Sequence, residues 1–241
     1  MVVEFVFSEI AELYGDYGNE LYIRKSVPEA TFVNTTLVDT PYFAGHTPDL
    51  IVMGSPSEKN QERAIAALLP YKDRLRELVD SGTVTLFTGT AGEILFDNIE
   101  NWDGRQIPAL GILPFTAARS RYDRFNGLNV GTLKTDKGDT QIVGFRSQFT
   151  FWHGDNTNCP FIDVTRGIGL NRESALEGIR INNLFVTQIL GPILVMNPDF
   201  TEYLFRLCGS DAKPAFYDTA KSAHDKRLAE FSDPNTKVND L

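Results

Sequence analysis

Three short apolar runs constrain the fold of this chain more than any other feature. Residues 1–7 (MVVEFVF), 49–54 (DLIVMG) and 84–88 (VTLFT) are rich in β-branched and aromatic side chains and have the length of single strands. Between the second and third runs, residues 58–80 place Ala64, Leu68, Leu75, Leu78 and Val79 at the spacing of a helix with one buried stripe. Pro70 interrupts that stripe and predicts a kink or two segments. Ser81-Gly82 supplies a stop. The third run enters Gly89-Thr90-Ala91-Gly92 and then a short stretch, 93–96, expected to be helical. Strand, helix, strand and glycine turn in this order predict a parallel sheet with crossover helices.

The second half reads differently. Residues 128–135 and 140–146 are strand candidates joined by Asp136-Lys137-Gly138-Asp139, a hairpin turn. Residues 161–165 and 183–188 read as further strands, and 198–208 and 214–231 as helices. With no internal repeat or low-complexity linker, the expectation is one α/β domain over residues 1–231 and a polar, frayed tail over 232–241.

Charge and cysteine content narrow the function classes. The 241-residue chain carries a formal net charge of −9. That disfavours nucleic acid, whose phosphates demand a basic patch, and an anionic membrane surface. No apolar run is long enough to span a bilayer, and residues 1–7 lack the basic start and cleavage site of a signal peptide. Two cysteines, Cys159 and Cys208, are too few for a disulfide framework and suit a reducing compartment, so cytoplasm is expected. No metal site or cofactor is expected either. The Gly167/Gly169 pair falls far short of a dinucleotide fingerprint.

Four segments, taken in order, carry a resemblance. Residues 13–19 (LYGDYGN) are similar to an opening LYGDxGN. Residues 49–61 (DLIVMGSPSEKNQ) are similar to a strand and loop written DLxxxGGGQDxEQ. Residues 84–96 (VTLFTGTAGEILF) resemble the elbow PxLAxCxGxQLLG, and residues 182–198 (NNLFVTQILGPILVMNP) resemble NxxGTYxHGPxLxxNP. Residues 109–113 (ALGIL) are similar to GLGLL. These are motifs of the class I glutamine amidotransferase-like family, in the branch of the lipid II isoglutaminyl synthase glutaminase subunit and cobyric acid synthase. The resemblance implies a mainly parallel central sheet flanked by helices, a flavodoxin-like three-layer α/β fold.

In that family a cysteine on a sharp strand-to-helix turn attacks the glutamine amide, a histidine moves the proton, and backbone N–H groups hold the oxyanion. Here the cysteine position is Gly89 and the histidine position is Leu190. The glycine-rich loop after Gly54 reads Ser55, Pro56, Ser57, and Pro56 removes one backbone donor. Both catalytic positions are therefore degenerate, and glutamine hydrolysis is not expected. The resemblance leaves Gly54, Ser55, Ser57, Thr90 and Arg124 as candidate substrate-binding residues. Arg124 falls near an arginine that the family uses to hold glutamine. With Arg119 and Arg121 it reads either as an anion clamp or as a solvated turn with surface ion pairs. Residues 149–154 (FTFWHG) read as a pocket wall or as an aromatic strand packed on the core. Both cysteines read as structural.

Three functions fit. The first is a binding, regulatory or assembly subunit beside a Mur-ligase-like synthetase or an active paralogue. The second is an enzyme of changed chemistry or with a rebuilt centre, for which Thr88 and Thr90 are candidate nucleophiles. The third is a domain that binds glutamine or a related small molecule. A last expectation concerns the old catalytic pocket: Leu190 should pack near the Gly89 turn and partly fill it, with Phe87, Ile94 and Phe149 as candidate neighbours.

Overall fold

A computed structural model describes residues 1–237 of the chain. The three apolar runs become neighbouring parallel strands, β1 (Val2–Val6), β3 (Leu50–Met53) and β4 (Val84–Thr88). β2 (Thr31–Thr35) pairs in parallel outside β1, and β14 (Leu184–Thr187) pairs in parallel beside β4. β13 (Ile179–Ile181) closes that edge as an antiparallel strand, giving the order β13-β14-β4-β3-β1-β2.

Alternation along these strands explains why the runs are apolar throughout. Val3, Phe5, Leu50, Val52, Val84, Leu86 and Phe185 face one core. Val6, Ile51, Met53, Phe87, Leu184 and Val186 face the other. A sheet covered on both faces needs hydrophobic side chains at both phases of the pleat. The first core is completed by α1 (Tyr17–Ser26), α4 (Ile193–Met196) and α5 (Pro198–Leu207). The second is covered by α2 (Glu58–Leu68) and α3 (Lys72–Asp80). Pro70 divides these two helices at a 3-10 turn, Leu69–Tyr71, in place of one kinked rod. α6 (Tyr217–Ser232) packs on the second half of the chain, where the buried His224 holds the Gln141 carbonyl at 3.0 Å.

Between β4 and β13 the chain builds two further sheets. One joins β10 (Thr150–His153), β7 (Leu113–Arg119), β5 (Phe96–Glu100) and β6 (Gln106–Pro108), in that order; only its β5–β7 pair is parallel. The other is wholly antiparallel: β12 (Leu176–Glu177), β11 (Ile162–Arg166), β8 (Phe125–Thr135) and β9 (Gly138–Gln148). The expected hairpin is the β8–β9 pair, longer than predicted, turning through Asp136 and Lys137 onto Gly138 at φ +113°.

The predicted helical stretch at 93–96 is corrected. A 3-10 segment runs over Gly89–Leu95, and Phe96 begins β5, packed edge-on to Trp152. Gly92 shows why the segment sits where it does: a Cβ there would lie 2.4 Å from Val186 Cγ1 and 2.9 Å from Trp152 Cη2. The start of the predicted frayed tail is held. Ser232 ends α6, and the Arg166 guanidinium donates to the carbonyls of Phe231, Asp233 and Thr236. Residues 238–241 lie outside the described residues.

Candidate functional site

The carboxyl ends of β3 and β4 carry the two loops that form a cleft, the usual place for a site in an open parallel sheet. β4 ends at Thr88, and the chain turns at Gly89 with φ +56°. Such left-handed backbone costs an L-residue and is free for glycine. The loop after β3, residues 54–57, leads into the start of α2. Its Ser55 amide donates to Asp16 Oδ2 at 2.7 Å, and the Thr88 hydroxyl donates to Asp16 Oδ1 at 2.9 Å. Burial pushes the Asp16 carboxyl up to about 6 against these bonds.

Ser55 closes the turn. The Thr90 amide donates to Ser55 Oγ at 3.2 Å. The Thr90 hydroxyl donates to the Pro56 carbonyl at 2.6 Å, so Ser55 Oγ donates to Thr90 Oγ1 at 3.0 Å. A Cβ built on Gly89 would stand 2.5 Å from Ser55 Oγ, 2.8 Å from Ser55 Cβ and 3.1 Å from Leu190 Cδ2. Any side chain at Gly89 would meet those atoms. Leu190 is buried, and its amide donates to the Phe145 carbonyl at 2.8 Å. Leu190 thus packs at the Gly89 turn as expected. Phe149 shares the cleft wall with it.

The space that remains is a cleft of about 290 Å³. Leu13, Tyr14, Pro56, Phe149 and Leu190 give it apolar walls, and Ser55, Ser57, Thr90, Gln148 and Gln188 add neutral polar groups. Two carboxylates line it, Glu58 at the first turn of α2 and Glu93 on the 3-10 segment. Glu93 is fully buried. It accepts from Trp152 Nε1 at 3.1 Å and from Gln61 Nε2 at 2.7 Å. Gln61 Oε1 in turn accepts from Arg119 Nη2 at 2.5 Å. Desolvation outweighs both bonds and pushes the Glu93 carboxyl up to about 7.

No model of a known family matches the chain. A curated relative, the subunit GatD of lipid II isoglutaminyl synthase (glutamine-hydrolyzing) from Staphylococcus aureus (strain N315), is 30% identical over 210 residues. The match covers 85% of this chain and 82% of the relative. This chain belongs to the class I glutamine amidotransferase-like family. The Streptococcus pneumoniae (strain ATCC BAA-255 / R6) GatD subunit is 23% identical over 98% of this chain and 92% of its own. A crystal structure of a glutamine amidotransferase superposes with a TM-score of 0.52 at 13% identity, covering 86% of this chain and 99% of that one, which speaks for the shared fold.

At the turn that resembles the family's elbow, Gly89 has left-handed backbone and carries no side chain. In such elbows the amide of the residue after the nucleophile serves the oxyanion. Here that amide, on Thr90, is engaged by Ser55.

Of the sequence-derived binding candidates, Ser55, Ser57 and Thr90 line the cleft. Gly54 does not. It is glycine because a Cβ would lie 2.2 Å from the Ala11 carbonyl oxygen and 2.7 Å from Asp16 Cβ. Arg124 is not a lining residue either. Its exposed guanidinium sits 5.4 Å from the centre of the Phe149 ring.

The arginine group forms no clamp. Arg119 is buried and bonds to Asn101 and Gln61, which corrects its reading as part of a solvated turn. Arg121 stacks at the surface on Trp102 and Tyr122. The histidines lie elsewhere: His46 stacks on Tyr42, His153 is exposed, and His224 is buried beneath α6. Burial raises both cysteine thiols, Cys208 to about 12, as structural cysteines require.

Sequence reasoning passed over Glu93 and Gln61 as functional residues. The signals were in the motif matches: Gln61 stands at the closing Q of DLxxxGGGQDxEQ, and Glu93, a lone acid inside GTAGEILF, stands at the Q of PxLAxCxGxQLLG.

Proposed function

We propose that this chain is an amidotransferase-like subunit that does not hydrolyse glutamine and that works through assembly with, or regulation of, a Mur-ligase-like synthetase. One observation carries the reading. The place of a side chain at Gly89 is closed by Ser55 and Leu190, while the Thr90 amide is engaged by the same serine. An acyl-transfer site needs a nucleophile, a base and free oxyanion donors, and all three are compromised here. The two GatD relatives are subunits of a synthase, which supports a synthetase partner. The reading takes residues 1–231 as one amidotransferase-like domain and places the protein in the cytoplasm, in keeping with its two unpaired cysteines.

The test is ammonia release from glutamine by the purified protein, alone and with a candidate synthetase that co-purifies with it. The expected result is a stable complex and no turnover attributable to this chain. Turnover that disappears in Thr90→Ala or Thr88→Ala would replace the reading with a rebuilt centre. A second reading, an enzyme of changed chemistry, is favoured by Glu93, a buried acid titrating near neutrality in an apolar cleft.

A further inference from the structure

We propose that the cleft over Gly89 binds a small organic cation, an ammonium on an apolar stem, and rejects ligands that carry a carboxylate. Charge on the cleft wall is of one sign. Glu58 and Glu93 line it, and no lysine, arginine or histidine does. The donor that an elbow would aim at an anion, the Thr90 amide, is engaged by Ser55 Oγ. The remaining positive feature of the rim, the first turn of α2, carries Glu58 itself.

Neighbouring cations are held back. Arg119 reaches Glu93 through Gln61 and stands 4.0 Å from Glu58 and 3.7 Å from Glu62. Arg124 lies over the Phe149 ring and is not a lining residue. Glu93 is fully buried and accepts one hydrogen bond on each oxygen, both from neutral donors, so its charge acts on the cleft through space rather than by contact. The apolar walls suit a hydrocarbon stem, and the Tyr14 ring suits a cation. At about 290 Å³ the cleft has room for on the order of ten waters, or a ligand of similar bulk. This inference does not depend on a synthetase partner.

The probe is n-butylammonium, titrated into the full chain by calorimetry at pH 8 and fixed ionic strength, with butyrate and butanamide in parallel. Saturable one-to-one binding of the ammonium is expected, with butyrate silent and butanamide at least about tenfold weaker, a factor of ten being about 1.4 kcal/mol. Glu93→Gln and Glu58→Gln should each weaken binding by about tenfold or less. Affinity should fall from pH 8 to pH 6 as Glu93, held near 7, takes up a proton. If Glu93→Gln fails to fold, Glu58→Gln and the cleft-filling Leu190→Phe decide the question. Ammonium uptake without saturation would assign the effect to the acidic surface and overturn the proposal. So would equal binding of butyrate or butanamide, or affinities unchanged in every folded variant.

Discussion

Gly89 shows how much one residue can close off. Cysteine there would adopt left-handed backbone at a cost of about 1–2 kcal/mol and would press on Ser55 and Leu190. The pair Gly89→Cys with Leu190→His should therefore lower Tm and remain without glutaminase activity. Adding Ser55→Gly removes the serine from the place of the thiol and frees the Thr90 amide. The triple variant should recover part of the lost stability. A stable double variant with substantial activity would show the pocket to be open and lost at two side chains only.

Glu93 makes a second claim at this scale. Its carboxyl, ordinarily near 4.5, is raised to about 7 in the fold, so the native state binds its proton more tightly than the unfolded chain. The stabilisation this provides is complete below about 4.5 and is lost as pH rises through about 7. Asp16, raised to about 6, acts in the same direction. An amide at position 93 faces two donors, from Gln61 and Trp152, and carries a fixed cost. Its Tm relative to the parent should nevertheless improve between pH 5 and pH 8. Parallel Tm curves over that range would contradict the assignment.

Among the elements, the 3-10 segment Gly89–Leu95 joins the central sheet to the β5–β7 sheet, and Gly92 lies against Val186 of the first and Trp152 of the second. Gly92→Ala would drive a methyl into Val186 and Trp152. Overpacking of this kind costs about 1–3 kcal/mol, read as a lower denaturation midpoint with an unchanged m-value. Substitution at Gly45 or Gly104, where a Cβ meets nothing within 4 Å, serves as the control, Gly45 being preferred because Gly104 has φ +84°.

For the whole molecule, the proposed partner needs a surface. Leu13 and Tyr14 on the cleft wall continue into Tyr17 and Leu21 on α1, and all four are 40–47% exposed. Exposed apolar side chains grouped in this way mark interaction faces. Tyr17→Asp should abolish co-elution with the synthetase on size exclusion and leave Tm within about 1 kcal/mol equivalent, as surface changes do. Unchanged co-elution would place the partner on another face.

The sequence by itself determined the strands β1, β3 and β4, the break at Pro70, the amidotransferase-like family and the absence of cysteine and histidine at Gly89 and Leu190. These follow from local apolar runs, proline chemistry and residue identity, which need no knowledge of distant neighbours. Only the tertiary structure decided that Ser55 meets Thr90 across 35 residues and that Glu93 meets Trp152 across 59. The β8–β9 hairpin was legible from its turn, but the sheet of β10, β7, β5 and β6 was hidden for the same reason. Phe96 reads as the end of a helix until Phe115 and Trp152 pack against it. Burial and hydrogen bonding between segments far apart in the chain set both the cleft's charge and its closure, and no local pattern encodes which segments will meet.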